Sequence, residues 1–492
     1  MSTVETRSAG FAYQAPQAMN QPPVTALHDL SLNLPPGSAT LITGASGSGK
    51  STALRLLNGL VPHLTGGELS GEVIVAGRNT RETPLHELGQ VTGTVFQNPR
   101  TQFFTATTLE ELAFALENAG TPAPEIEARV VAAARKAGIS HLLHRALAEL
   151  SGGELQLIAC ACVLATDAGI LLLDEPTSNL SPDAIDGLRR LLFDLKASGL
   201  TLVIAEHRLH FLNGLVDTVV HLDHGRLVSV APAAEFFAMT DADRRAAGLR
   251  TLAPPRLARA DVALPDPVGG LAVRGLKFSY QAGRPVLDIA SLTFPAGSVS
   301  ALCGPNGAGK TTLARVLTGL AAQGAGEILL DGHATSQKQR QTVSALVMQD
   351  VHRQLFGESV AAEVTLGLPP GARVEVPALL EELGLLDLAD RHPMSLSGGQ
   401  KQRLVVAAAL ASGARVYVFD EPTSGVDYRH LQAVSARIRS LAAAGHVVIV
   451  ISHDPEFLAE CADLLITISP YETGVGNRID MAAVRREGTC DA

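Results

Sequence analysis

Two stretches of this chain have the residues needed to cradle phosphate. Gly44-Ala-Ser-Gly-Ser-Gly-Lys50-Ser51 and Gly304-Pro-Asn-Gly-Ala-Gly-Lys310-Thr311 both satisfy G-x-x-x-x-G-K-[ST]. Glycines at Gly44, Gly47, Gly49 and at Gly304, Gly307, Gly309 let backbone N–H groups converge on phosphate oxygens, with Ser46 and Asn306 inside the turns. The following helix adds its positive N-terminus. Lys50 and Lys310 would reach the β- and γ-phosphates. Ser51 and Thr311 would ligate Mg2+, with Thr52 and Thr312 next in line. Asp174 and Asp420 end apolar runs (ILLLD, VYVFD), at the tips of buried strands where a carboxylate can orient the Mg2+ shell. Glu175 and Glu421 follow at once, placed as general bases for an attacking water. LSGGE and LSGGQ put Ser151-Gly152-Gly153 and Ser397-Gly398-Gly399 before helical stretches, a second kind of anion-binding turn.

The elements that must position these residues are repeated. Phosphate loop, LSGG turn, acidic strand and a strand ending in histidine come in the same order twice, and Ser151–Ser397, Asp174–Asp420 and His207–His453 are each 246 residues apart. Short apolar runs ending in glycine and followed by STALRLLNGL or TTLARVLTGL read as strand–loop–helix units, hence an α/β protein with largely parallel sheets. Residues 241–269, rich in Pro, Arg and Ala without an apolar period, read as a linker between domains at 1–240 and 270–475, with a polar tail at 476–492.

Composition narrows the function classes. At 492 residues, 46% apolar and 18% charged, the chain can bury more than one core. Its net charge of −10 argues against a nucleic-acid partner, which needs a basic face. Five cysteines without a CxxC spacing indicate reduced, buried thiols. The N-terminus has no apolar signal region, and no run approaches the ~20 apolar residues that span a bilayer, so work at a membrane requires other chains.

Both halves resemble ATP-binding cassette (ABC) nucleotide-binding domains, over residues 8–230 and 272–468. The resemblance implies two tandem P-loop NTPase domains, each with a mainly parallel sheet core, an antiparallel β part and a helical subdomain. It implies ATP and Mg2+ as ligands and intramolecular pairing of the halves, with each ATP between one half's phosphate loop and the other's LSGG turn. Ser151 and Ser397 would then contact γ-phosphates from across the interface. Gln97 and Gln349 would sense Mg2+ and the attacking water, His207 and His453 would hold the γ-phosphate, and Tyr13 and Tyr280 would stack on adenine.

After Gln97 and Gln349 the two halves share a further pattern. Glutamine stands five residues on (Gln102, Gln354), then an apolar pair (Phe103–Phe104, Leu355–Phe356), and glutamate fourteen on (Glu111, Glu363). This resembles ATPase subunits of energy-coupling-factor importers for vitamins or transition-metal ions. The resemblance implies a groove gripping helices of a transmembrane coupling protein, the apolar pair seating a helix and the acidic residue receiving its arginine. A separate membrane protein would bind the substrate, and the chain would sit peripherally on the cytoplasmic face. Two alternatives stand beside it: the ATPase of another ABC importer, such as a sugar importer, and a soluble ABC-F-like translation factor. The halves also diverge. Ser181 stands where the second copy has Asp427, and Leu157 where it has Arg403. In the pairing that the resemblance implies, both departures fall on the site served by Lys310 and Glu421, which is expected to hydrolyse more slowly.

Overall fold

The runs that carry Asp174 and Asp420 lie within two separate sheets, in a computed structural model that describes residues 4–14, 23–178, 180–254, 257–260, 269–281, 283–368, 374–396, 398–423 and 425–485. The chain divides into two compact units, Met1–Pro254 and Pro255–Ala492.

In the first unit the strands run in the order Arg226–Pro232, Thr218–Asp223, Ala39–Gly44, Thr201–Ala205, Ile170–Asp174 and Thr92–Val95. All are parallel to their neighbours except Arg226–Pro232. Alternate residues serve different cores. Leu41, Leu171, Leu173, Leu202 and Ile204 pack towards the helices Thr108–Asn118, Ala123–Lys136 and Gly152–Ala165. Ile42, Ile170, Leu172, Val203 and Ala205 pack against the helix Lys50–Leu57 and a four-stranded antiparallel sheet, ordered Val24–Leu34, Val4–Tyr13, Gly67–Val75, Arg78–Asn79. With both faces covered, continuous apolar runs replace the alternation of a half-exposed sheet. Each fully buried Leu or Ile side chain contributes roughly 2 kcal/mol.

The second unit repeats the plan. Val299–Cys303 lies between Leu464–Ile468 and Val447–Ile451, followed by Val416–Asp420 and Ser344–Val347, all parallel. Its antiparallel sheet runs Arg284–Pro295, Gly270–Gln281, Ala325–Leu330, His333–Ala334. The helices Val360–Thr365, Val376–Glu382 and Gly398–Ala411 complete it.

The linker and tail contain ordered elements. Thr240 caps the helix Asp241–Ala246 by accepting from the Asp243 amide, and Leu249 and Arg250 are buried, so this stretch packs onto the first unit. The strand Ala258–Ala260 pairs with Ile479–Arg485, which itself pairs with Leu464–Ile468. Backbone pairing orders these segments although their composition carries no apolar period. Among the described residues, no helix is long and apolar enough to cross a membrane.

Candidate nucleotide sites and coupling face

Each phosphate loop leaves a central strand and enters a helix through a left-handed glycine, Gly49 at φ 96° and Gly309 at φ 90°. Gly44 and Gly304 have φ 146° and 145°, and a Cβ on either would run into the carbonyl of Leu222 or Ile468 on the neighbouring strand. The glycines are therefore required by backbone geometry and close approach together. Nothing lies within 4 Å of a Cβ at Gly47 or Gly307, which leaves room beside both loops for a ligand. Lys50 Nζ donates to the carbonyls of Gly44 (3.1 Å) and Ala45 (2.9 Å), and Lys310 Nζ to those of Gly304 (2.7 Å) and Pro305 (2.9 Å). Both ammonium groups are thus held over their loops.

The two hydroxyls expected to bind metal meet the two aspartates. Ser51 Oγ donates to Asp174 Oδ1 at 2.8 Å, and Thr311 Oγ1 to Asp420 Oδ2 at 2.7 Å. Burial pushes both carboxyls above the usual range, against the pull of the hydroxyl and the nearby lysine. Burial also lowers Lys310, with Glu421 and Asp420 opposing it. A hard cation suits this pair of oxygens. Phosphate oxygens and water can complete the shell of a bound Mg2+, which usually keeps several waters.

Glu175 and Glu421 sit one residue past the strand ends in left-handed backbone, at φ 45° and 54°. That conformation is costly for a non-glycine residue and is held by hydrogen bonds from their amides to the Ala205 and Ile451 carbonyls, both 2.8 Å. Glu175 Oε2 accepts from Gln97 Nε2 at 2.8 Å, and His207 Nε2 lies 3.5 Å from Glu175 Oε1. The first unit thereby gathers Gln97, Glu175 and His207, residues far apart in sequence. In the second unit His453 reaches Glu421 through its backbone amide (3.0 Å), while Gln349 is exposed. Tyr13 and Tyr280 are tethered identically, their hydroxyls 3.1 and 3.2 Å from Thr52 Oγ1 and Thr312 Oγ1, which fixes both rings beside the phosphate loops.

Ser151 caps the helix Gly152–Ala165 in a capping box with Glu154, whose carboxylate accepts from the Ser151 amide (2.8 Å) and hydroxyl (2.7 Å). Burial pushes Glu154 upward, yet the Ser151 hydrogen bonds hold it below the ordinary range. Gly152 and Gly153 form the first turn, and Gly398 and Gly399 begin the matching helix Gly398–Ala411. Ser397 lies outside the described residues.

The segment after the glutamines departs from expectation. Glu111 and Glu363 are only 7% and 4% exposed. Glu111 accepts from the amides of Phe104 (3.0 Å) and Thr105 (2.9 Å), and Glu363 from those of Phe356 (2.7 Å) and Gly357 (2.5 Å). They are anchors for a loop, not acceptors held out to a partner's arginine, because a buried carboxylate needs donors that the loop's own amides supply. Gln102 and Gln354 similarly accept from the Phe96 and Met348 amides, at 3.0 and 2.7 Å. What the anchored loops display is aromatic: Phe104 is 77% exposed and Phe356 75%. Phe104 stacks on Phe114, ring centroids 5.2 Å apart.

Three residues of consequence escaped sequence reasoning: Glu154, Glu206 and His430. The constant spacing of the two halves could have exposed all three, since their counterparts are Gln400, Ser452 and Ala184.

Comparisons with known proteins show the family. A model of the family described as "ABC transporter" matches residues 27–178 and 287–424. A Treponema denticola protein named "Putative ABC transporter ATP-binding protein" is 41% identical over 470 residues, covering 94% of this chain and 95% of that one. The Bacillus subtilis protein named "Putative HMP/thiamine import ATP-binding protein YkoD" is 32% identical over 505 residues, covering 96% and 90%. A solved structure described as a "Model of ribosome-bound archaeal Pelota and ABCE1" aligns with TM-score 0.67 over 96% of this chain and 78% of that one. At 24% identity that likeness speaks to the fold alone.

Proposed function

Because the chain belongs to the ABC transporter family and its two domains mark it as an ATPase, we propose that it powers a membrane importer of the energy-coupling-factor type, for a vitamin or a transition-metal ion. The observation that carries this reading is the pair of exposed phenylalanines, Phe104 and Phe356, displayed on loops that begin at Gln97 and Gln349. Large exposed aromatics on rigidly anchored loops fit a partner's helix. Their continuity with the glutamines links that partner to the phosphate site. The relative named for HMP/thiamine import supports uptake as the direction.

In the proposed mechanism, Lys50 and Lys310 bind the β- and γ-phosphates, and the loop glycines supply backbone donors. Ser51 with Asp174, and Thr311 with Asp420, would hold Mg2+, which when bound neutralises phosphate charge. Gln97 and Gln349 would complete that shell. Glu175 and Glu421 take the proton from the attacking water, and His207 and His453 orient the γ-phosphate. Tyr13 and Tyr280 carry adenine. In the ATP-bound state the halves pair, Ser151 and Ser397 each closing the other half's phosphate site, and hydrolysis reopens them. The movement is passed through the Phe104 and Phe356 loops to a transmembrane coupling protein, which works with a substrate-binding membrane protein at the cytoplasmic face.

The test is affinity purification of the full chain from detergent-solubilised membranes. Integral membrane proteins are expected to co-purify with the parent. In Phe104→Ala/Phe356→Ala their recovery is expected to fall at least tenfold, roughly the loss of two buried aromatic contacts, with binding of a fluorescent ATP analogue retained. Undiminished recovery would reject the coupling face, and recovery of ribosomes instead would favour a translation factor.

A further inference from the structure

Glu206 and Ser452 occupy the same place in the two halves, each directly before the site histidine and 246 residues apart. In the second unit Ser452 Oγ donates to Glu421 Oε2 at 3.1 Å, and the His453 amide donates to Glu421 Oε1 at 3.0 Å. Gln402 Nε2 donates to the Glu421 carbonyl at 2.9 Å. Both carboxylate oxygens and the backbone of Glu421 are thus held by donors. In the first unit the corresponding amide, that of His207, donates instead to Glu206 Oε2 at 3.0 Å, and the Thr177 hydroxyl donates to Glu206 as well. The counterpart of Gln402 is Gln156, whose buried amide nitrogen makes no hydrogen bond. Glu175 meets Gln97.

The chemistry of the two side chains explains the difference. A serine hydroxyl donates and can hold a carboxylate, whereas an ionised glutamate only accepts and competes for the same amide. Glu421 is held through both carboxylate oxygens, so turning towards a water costs it those two hydrogen bonds. Glu175 is already engaged by the glutamine that leads to the coupling loop.

We propose that Glu206 and Ser452 are positioning residues that set the resting partner of the catalytic glutamate, so that the first unit's base is poised beside its glutamine and the second unit's base is held back. This rests on the reading of Glu175 and Glu421 as general bases.

The experiment measures ATPase kcat and KM on the full chain with one base silenced at a time. In a Glu175→Gln background, Ser452→Ala is expected to raise kcat about fivefold, the rate equivalent of releasing one hydrogen bond, with KM for ATP unchanged. In a Glu421→Gln background, Glu206→Ala is expected to lower kcat about fivefold at constant KM, and Glu206→Gln, whose carbonyl oxygen can still accept from the His207 amide while its NH2 donates to the Thr177 hydroxyl oxygen, to restore most of it. If Ser452→Ala leaves kcat unchanged or lowers it, or if Glu206→Gln is as impaired as Glu206→Ala, the positioning role is wrong. The Glu175→Gln/Glu421→Gln chain separates the two readings. Full activity there overturns the assignment of the bases, and the inference with it. Loss of activity there leaves the positioning variants to decide.

Discussion

Glu206 shows how one side chain can be costly and useful at once. It is 2% exposed, and burial pushes its carboxyl up to about 6, against the pull of the Thr177 hydroxyl, Arg208 and the His207 amide. A glutamate raised in the folded state contributes fully to stability below its ordinary value of about 4.3, and that contribution is lost as pH rises through about 6. Glu206→Gln has no such proton to lose. Relative to the parent, the variant is expected to gain about 2 kcal/mol between pH ~4 and pH ~6.5. Urea denaturation at the two pH values checks this, and a difference independent of pH would show that Glu206 is ionised at little cost. The first unit thus carries an acidic group beside its histidine where the second has a hydroxyl.

At the scale of elements, the mismatch of Ser181 with Asp427 is part of a larger exchange. Asp427 caps the helix Tyr428–Ala443 and accepts from the His430 amide (2.9 Å) and from His430 Nδ1 (2.8 Å). Arg403 lies buried nearby, donating to the Leu383 carbonyl at 2.8 Å, and burial pulls it down to about 10 while Asp427 opposes the shift. The first unit has Leu157, Ser181 and Ala184 in these three places. There Ser181 still caps its helix, accepting from the Ala184 amide. A buried Arg403 and Asp427 with His430 beside them in one half are replaced by Leu157, Ser181 and Ala184 in the other, and each set is internally consistent. Asp427→Ser alone removes the carboxylate that favours the buried Arg403 charge and the acceptor of His430 Nδ1, and is expected to cost about 1–2 kcal/mol. Arg403→Leu/Asp427→Ser/His430→Ala together should recover most of that loss in urea denaturation. If the triple variant is as unstable as the single one, the three positions are not coupled.

At the scale of the molecule, the two halves share a plan and differ around the glutamates proposed as bases. Glu421 is held through both carboxylate oxygens, whereas Glu175 meets Gln97. On the proposed reading of these glutamates as bases, Glu175→Gln is expected to reduce steady-state ATPase activity more than Glu421→Gln does. Equal losses would show that the halves work equivalently. For the departures first noticed, Ser181 and Leu157, the structure supplies a packing role within one unit.

The turns of the phosphate loops, the acidic strand ends and the repeat were legible because each rests on a local requirement. Left-handed turns at Gly49 and Gly309 demand glycine, and strands covered on both faces demand unbroken apolar runs such as ILLLD and VYVFD. The ordered parts of the linker and tail were not legible, because strand pairing of Ala258–Ala260 with Ile479–Arg485 joins segments more than two hundred residues apart. Nor was the inward turn of Glu111 and Glu363, whose glutamates look alike on paper whether they face a partner or a loop's amides. By itself the sequence determined the glycine turns, the acidic strand ends and the repeat. Only the tertiary structure decided which neighbour holds each of them, because a side chain's partner is set by burial and by distances across strands, neither of which is written in spacing along the chain.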